Sequence, residues 1–408
     1  MKDNISVSKK LTISVIVVIL LIGLPIGGLT KEVKDVKIGL LLPMTGPMSS
    51  LGELNKRGFD LAVEKINREG GIKSLGGAKI GFVLADSQSD PKVAASETEK
   101  LIAISKVPII TGSYAGSLCI TASAIAERHK IPYWEVSAIT DVLTERGFKY
   151  FFRTIVNTTG YCGTAIDFLN ALGYKKIATM AEDTIMGVTA NKVFQTRAKE
   201  HGMEVLQVVT FPHSPTTFNS EILKLKLAKP QALAVAQFTN DAILFVKQMK
   251  ELGLNVDLIA GTYGGPSDPQ YAKALGELAD YTCGVTVYNW DMQTKGSKEF
   301  VNNYLEKYQQ EKPGLHPSYC YMGMLALAEV LERAGSLDAD KIVEAALKTD
   351  IPETLTGYGI KFDPKTHHNI RATYASVVQW QKGELVTVWP ERFASKKVIS
   401  PMPKWKDR

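Results

Sequence analysis

Only four of the 408 residues are cysteine, Cys119, Cys162, Cys283 and Cys320, and no two fall in a C-x-x-C spacing. That excludes a thioredoxin-type redox motif and a zinc ribbon. The four read as buried thiols in a core large enough to do without bridges. Histidine is nearly as sparse, with six in all. The adjacent pair His367–His368 lies in a polar loop, "DPKTHHN", and reads as solvated surface, so no metal is expected. No G-x-G-x-x-G follows a strand-like run and no G-x-x-x-x-G-K-[ST] occurs, so neither a dinucleotide nor a nucleoside triphosphate is an expected cofactor. In "TGSYAGS" Ser113 directly follows Gly112 rather than standing at the centre of G-x-S-x-G, and no histidine lies nearby to activate it. No acid/base constellation emerges elsewhere, so the chain is not expected to be an enzyme. Concentrated charge is missing too: Lys2, Lys9 and Lys10 against Asp3 leave +4 of the net +6 for the rest of the chain. That is too mild and too dispersed for a nucleic-acid partner.

What is present begins with the leader. "MKDNISVSKK" is basic, and "LTISVIVVILLIGLPIGG" follows as an uncharged apolar run broken by Pro25 and ending in glycines. This is the layout of a secretory signal over residues 1–30, with the mature chain starting shortly after Gly27–Gly28 in the periplasm or outside the cell. The rival is an uncleaved anchor, since the run approaches the ~20 residues needed to cross a bilayer. No cysteine lies near its end to carry a lipid. Apolar residues at 45% and charged residues at 22% then place the remainder among soluble globular chains, with room for two domains.

After residue 35, short apolar runs alternate with amphipathic helical windows. "VKIGLLLP" (36–43), "KIGFVLA" (79–85), "VPII" (107–110) and "IPYWEV" (131–136) are strands, separated by "LGELNKRGFDLAVEKIN" and "DPKVAASETEKLIAIS". Asp90 and Pro91 supply an N-cap and a first-turn proline. The same alternation restarts past "YFFRTIVNTTG", with strands at 175–182, 204–211, 232–238, 256–261 and 283–290. Helices are expected at about 187–202, 217–228 and 240–252, and Asp338 caps another. A final hairpin at 373–390 turns on Lys382–Gly383. Continuous rather than alternating apolarity means strands covered on both faces. The fold class is therefore α/β, with two doubly wound Rossmann-like lobes.

Open α/β sheets bind ligands beyond the carboxyl ends of their strands. The loops at those ends are alike in composition. Across "MTGPMSSLG", "TGSYAGS", "SAITD", "EDTIMG", "FTND" and "TYGGPSD", small, hydroxyl and aromatic residues dominate. The helix starting at "AGSL" offers unpaired N–H groups to a carboxylate, with Ser117 adding a hydroxyl. Simple capping is the plainer role for Ser117, and a strand-end turn the plainer role for Ser137 and Thr140.

The runs "VKIGLLLPMTGPMSSLGELNKRGFDLAVEKINREGGI", "PIITGSYAGSLCITASAIAERHKIP", "SAITDVLTERGFKYFFRT" and "DFLNALGYKKIATMAEDTIMG" together resemble the periplasmic branched-chain amino-acid-binding proteins, the type I solute-binding proteins of ABC transporters. The likeness covers nearly everything after residue 35. It implies two lobes joined by a three-crossover hinge: 36–155 with 286–358, and 156–285 with 359–404. It also implies a monomeric receptor that captures a small amino-acid-like, carboxylate or amide solute by hinge closure and delivers it to an ABC permease in the inner membrane. A ligand-sensing regulator on the same scaffold is the alternative. In that family the loops matching Gly116–Ser117 and Ala138–Thr140 hold the ligand's α-carboxylate, which carries Ser117, Ala138 and Thr140 into the expected site. Leu51, Met186, Phe238 and Tyr263 fall where relatives carry aromatic pocket residues and, at the last position, a Glu that pairs with the α-ammonium. With Tyr263 there, the expected ligand has no free ammonium. Asp183, Asp241 and Asp268 are the candidates to take over the role of that Glu, although a cap or turn is the plainer role of each.

Overall fold

The computed structural model describes residues 35–309 and 312–408; the expected signal segment and its cleavage point lie outside them. In the first part of the chain β1 (Val36–Leu42), α1 (Ser49–Arg68), β2 (Ile80–Asp86), α2 (Pro91–Ala103), β3 (Ile110–Gly112), α3 (Gly116–Arg128), β4 (Tyr133–Glu135), α4 (Val142–Glu145) and β5 (Phe151–Arg153) form one α/β unit. A second follows with α5 (Thr158–Ala171), β6 (Lys176–Glu182), α6 (Ile185–Glu200), β7 (Glu204–Phe211), α7 (Asn219–Ala228), β8 (Ala232–Ala236), α8 (Thr239–Glu251), β9 (Leu258–Thr262), α9 (Pro269–Leu275) and β10 (Cys283–Thr286). Then come α10 (Ser297–Tyr308), α11 (Leu315–Ala334), α12 (Ala339–Leu347), the short strands β11 (Asp350–Ile351) and β12 (Ile360–Lys361), and the hairpin β13 (Ser376–Gln381) and β14 (Glu384–Trp389).

The first sheet runs β2-β1-β3-β4-β5, and the second runs β14-β13-β10-β9-β8-β6-β7. All pairings in these two sheets are parallel except those of β13 with β10 and β14. Each parallel set reverses direction of growth once, between β1 and β3 and between β6 and β8, which creates a crevice at the carboxyl ends. The apolar strands are buried for the reason their sequences give: β8 (ALAVA) and β9 (LIAGT) have no exposed residue, because helices cover both faces.

Local signals act where expected. The Asp90 carboxylate accepts from Lys92 N at 2.7 Å and Val93 N at 3.1 Å, and Asp338 accepts from Lys341 N at 3.1 Å. Lys382 and Gly383 sit at φ 54° and 76°, the left-handed pair of a two-residue hairpin turn. All four cysteines are buried and unbridged.

The histidine pair departs from expectation. His367 is 5% exposed and its ring stacks on Phe152 at 4.4 Å, while His368 Nδ1 accepts from Arg153 Nε at 3.2 Å. The cause is Asp363, which accepts from Lys365 N and Thr366 N at 2.8 Å and bends this polar loop back onto the first sheet. Phe362 in the same segment packs edge-on against Trp134 and Phe152. Residues 360–369, expected with the second lobe, therefore lie against the first.

The two 20-residue helices α1 and α11 pack closely through Gly58, where a Cβ would lie 2.1 Å from the Pro317 carbonyl oxygen. Farther along, Trp134 Nε1 donates to Gly323 O at 2.8 Å and ties α11 to β4. Gly58→Ala is expected to force the helices apart and destabilise the protein by about 1–3 kcal/mol, read from the denaturant midpoint.

Candidate functional site

The chain enters the first side of the crevice at Gly112, whose φ of 106° is open only to glycine and whose Cβ would lie 2.2 Å from Leu41 O. Ser113 and Tyr114 follow with φ of 78° and 68°. Non-glycine residues in this region store roughly 1–3 kcal/mol each and persist only where neighbours hold them. The holder is Glu135 at the end of β4. Its Oε2 accepts from Ser113 Oγ at 3.1 Å and Cys119 Sγ at 2.9 Å, and its Oε1 from Ser137 N at 2.6 Å, Ser137 Oγ at 2.9 Å and Ala138 N at 2.7 Å. One carboxylate thus joins the loop after β3 to the loop after β4.

The two loops also touch directly. A Cβ on Gly116 would lie 2.2 Å from Thr140 Oγ1, so only glycine lets α3 begin there. Ser117 is exposed in the first turn of α3, which has no side-chain cap; its hydroxyl does not take the capping role expected of it. Ser117, Ala138 and Thr140 are therefore neighbours, with one difference from the expected roles. The Ala138 N–H already donates to Glu135 and its side chain is buried. Thr140 keeps its N–H and Oγ1 unpaired among the described residues.

Across the crevice, Met186 opens α6, Phe238 precedes α8, and Tyr263 follows β9 at φ 63°. Tyr263 is the centre of this group. Its ring lies 6.2 Å from Tyr161 and 6.3 Å from Phe238, its hydroxyl donates to Met186 O at 3.4 Å, and Cys162 Sγ donates to it at 3.4 Å. Burial holds the phenol far above its ordinary range, so it stays neutral. Phe238 and Met186 are 39% and 43% exposed, apolar surface left at the crevice rim. Leu51 is half-buried on α1, one helical turn before Asn55.

Sequence reasoning missed the residues that complete the two walls. Tyr114 lies 5.6 Å from the ring of His316, whose Nδ1 is 2.7 Å from Tyr319 Oη. Burial pushes His316 down to about 4, so it is neutral at ordinary pH. Asp141, next to Thr140, is within 3.5 Å of Thr159 N and Oγ1, and its charge further raises the Tyr263 phenol. No local signal marks these residues; for Glu135 and Arg153 the available signal was a charged residue closing an apolar strand, in "YWE" and "FFR".

Asp268 caps α9 through Gln270 N at 2.8 Å, Asp183 accepts from His213 N at 3.2 Å, and Asp241 lies in the first turn of α8. His213 Nδ1 bonds to the buried Glu182 at 2.9 Å, and Glu182 also accepts from Thr184, the cap of α6, at 2.9 Å. Glu182, by hydrogen bond and charge, with Asp241 and Asp183 adding charge, raises the His213 pKa above 6.5. A folded-state pKa above the unfolded value gives stability that is complete below 6.5 and lost as pH rises through the raised value. As pH rises above 6.5 the melting temperature should fall, and His213→Asn should flatten that part of the profile.

A family model described as periplasmic binding protein matches residues 35–384. A Leu/Ile/Val-binding protein homolog from Brucella suis is 34% identical over 400 residues, covering 93% of this chain and 98% of the relative. Among solved structures, a leucine-binding protein from Thermotoga maritima superposes with a TM-score of 0.71 at 25% identity, covering 86% of this chain and 97% of its own. A solute-binding protein of an ABC transporter from Rhodopseudomonas palustris, in complex with 3,4-dihydroxybenzoic acid, gives 0.70 at 25% identity, covering 91% and 98%. With its two switch-point sheets and facing walls, the chain belongs to the periplasmic binding protein family, whose members are ABC-transporter solute-binding proteins.

Proposed function

We propose that this protein is the extracytoplasmic receptor of an ABC importer, exported by its N-terminal segment and acting as a monomer. It captures a small solute between the lobe of 36–155 with 286–358 and that of 156–285 with 359–404, the short segment at 360–369 riding on the first. Closure is a hinge motion driven by ligand contacts made to both lobes. The permease then receives the closed form.

The solute we infer carries a carboxylate and an apolar or aromatic body, without a free ammonium. The observation that carries this reading is the wall around Tyr263: Tyr161, Phe238 and Met186 surround a neutral phenol, and the side chain bonded to it is a thiol. A phenol cannot supply the negative charge that a desolvated ammonium requires. The opposite wall suits a carboxylate, through the free Thr140 N–H and hydroxyl and the uncapped start of α3 at Ser117. Leucine and 3,4-dihydroxybenzoic acid, named for the two related structures, share a carboxyl group and an apolar frame; the ammonium belongs to leucine alone.

Calorimetric titration with benzoate, 4-methylpentanoate and leucine tests the reading. Either deaminated acid should bind more tightly than leucine. Leucine tighter by about tenfold would overturn the ligand class and assign the counter-charge to Asp141. Thr140→Val should weaken the best of these ligands by about 1.5–3 kcal/mol, the cost of a hydrogen bond to a charged group, with an unchanged melting temperature because the hydroxyl has no partner within the fold.

A further inference from the structure

Glu135 and Arg153 are register partners on the adjacent parallel strands β4 and β5. Both are fully buried. Partners across a parallel ladder project to the same face, so the two charges rise side by side beneath the loop that follows β4. Their side chains do not bond to each other, and each sends bonds to that loop. All five donors on the Glu135 carboxylate are neutral, among them the N–H groups of Ser137 and Ala138. Arg153 sends Nη1 to Thr140 O at 2.6 Å, Nη2 to Thr144 Oγ1 at 2.9 Å and Nε to His368 Nδ1 at 3.2 Å. The turn from Ser137 to Thr140 is thus held at its N–H end by an anion and at its C=O end by a cation.

We propose that Glu135 and Arg153 act as a charge clamp, a pair of positioning residues that fix the Ser137–Thr140 turn in its ligand-receiving conformation and anchor it to the segment at 367–369. This rests on the reading that the turn receives the solute's carboxylate. Water would satisfy the same N–H and C=O groups in an exposed loop at no desolvation cost, whereas two buried charges are expensive to keep. Their effect is geometric: with Ser137, Ala138 and the Thr140 carbonyl pinned, the Thr140 N–H and Oγ1 are left pointing free beside Gly116. The clamp also reaches the segment at 367–369, through the Arg153 side chain at His368 and its backbone on either side. The Arg153 N–H donates to His367 O at 3.2 Å, and Asn369 N donates to Arg153 O at 3.0 Å, just where the chain leaves the first sheet for the second.

Two neutral variants and one conservative variant test the clamp. In Glu135→Gln the amide oxygen still faces Ser137 and Ala138 while its NH2 faces Ser113 and Cys119, both able to accept, so the fold is kept and the charge removed. Arg153→Met removes the fork; Arg153→Lys keeps the charge but reaches fewer acceptors. Residue-level hydrogen exchange on the ligand-free proteins should show the Ser137 and Ala138 amides opening about tenfold faster in Glu135→Gln and in Arg153→Met, with Leu40 in β1 unchanged. Affinity for whichever of benzoate, 4-methylpentanoate or leucine binds best should fall about tenfold, with Arg153→Lys restoring part of both effects. Unchanged exchange at 137–138 in Glu135→Gln and Arg153→Lys overturns the clamp, even where Arg153→Met does not fold. Faster exchange with affinity within about twofold of wild type overturns its role in binding. Failure of the wild type to bind any of the three acids overturns the receptor reading instead, and the exchange measurement, which needs no ligand, then decides the clamp alone.

Discussion

A parallel strand covered by helices on both faces can meet solvent only at its ends, and everything this molecule offers a ligand follows from that constraint. Both lobes solve it with the same strand order, β2-β1-β3-β4-β5 in one and β7-β6-β8-β9-β10 in the other, although no shared motif links their sequences. Where the order reverses, adjacent loops diverge to opposite faces and leave a crevice. Leu51 follows β1, Ser117 follows β3, Met186 follows β6 and Phe238 follows β8, so these residues flank the two reversal points. Their small size or apolar character is what a site built from loop ends and helix starts needs, since the backbone itself does the polar recognition.

Much of the frame was legible because it depends on local patterns. Apolar runs of strand length, capping by Asp90 and Asp338, and the turn at Lys382–Gly383 each act within a few residues and survive folding unchanged. The site was legible only as a set of loops. Glu135 and Arg153 close apolar strands in the sequence, but their meaning depends on β4 and β5 lying side by side in one register, which no local pattern specifies. Tyr114 and His316 are some two hundred positions apart and meet only because α11 returns to pack on α1. His367 and His368 mislead because the polarity of a loop does not amount to its exposure. Bent by Asp363, this one places one ring on Phe152 and the other under a guanidinium. Likewise the Ala138 amide, expected to face a ligand, faces Glu135, since a buried carboxylate takes the nearest N–H groups before any solute arrives.

Burial then decides which groups around the crevice carry charge. Tyr114 is pushed up to about 12 and Cys162 likewise to about 12, and Tyr263 lies higher still, so these hydroxyls and the thiol remain protonated, while His316 at about 4 is neutral from the other direction. Glu135, Asp141 and Arg153 border this region on the first-lobe side, where burial raises the Asp141 pKa and the Arg153 charge opposes that rise. On the second-lobe side the neighbours of Tyr263 are aromatic and neutral, while Glu182, Asp183 and Asp241 gather with His213 at the starts of α6 and α8. In the binding mode proposed above the two ends of an amino acid would be treated unequally: its carboxylate would meet unpaired N–H groups at Thr140 and at the start of α3, whereas an ammonium against Tyr263 would exchange water for a ring face and a phenol oxygen. Cation–π contact with such a face returns about 0.5–2 kcal/mol, well short of what removing an ammonium from water costs. The proposed preference for an anionic solute with a flat or branched hydrocarbon body therefore rests on the immediate surroundings of Tyr263 on one side and of Thr140 on the other.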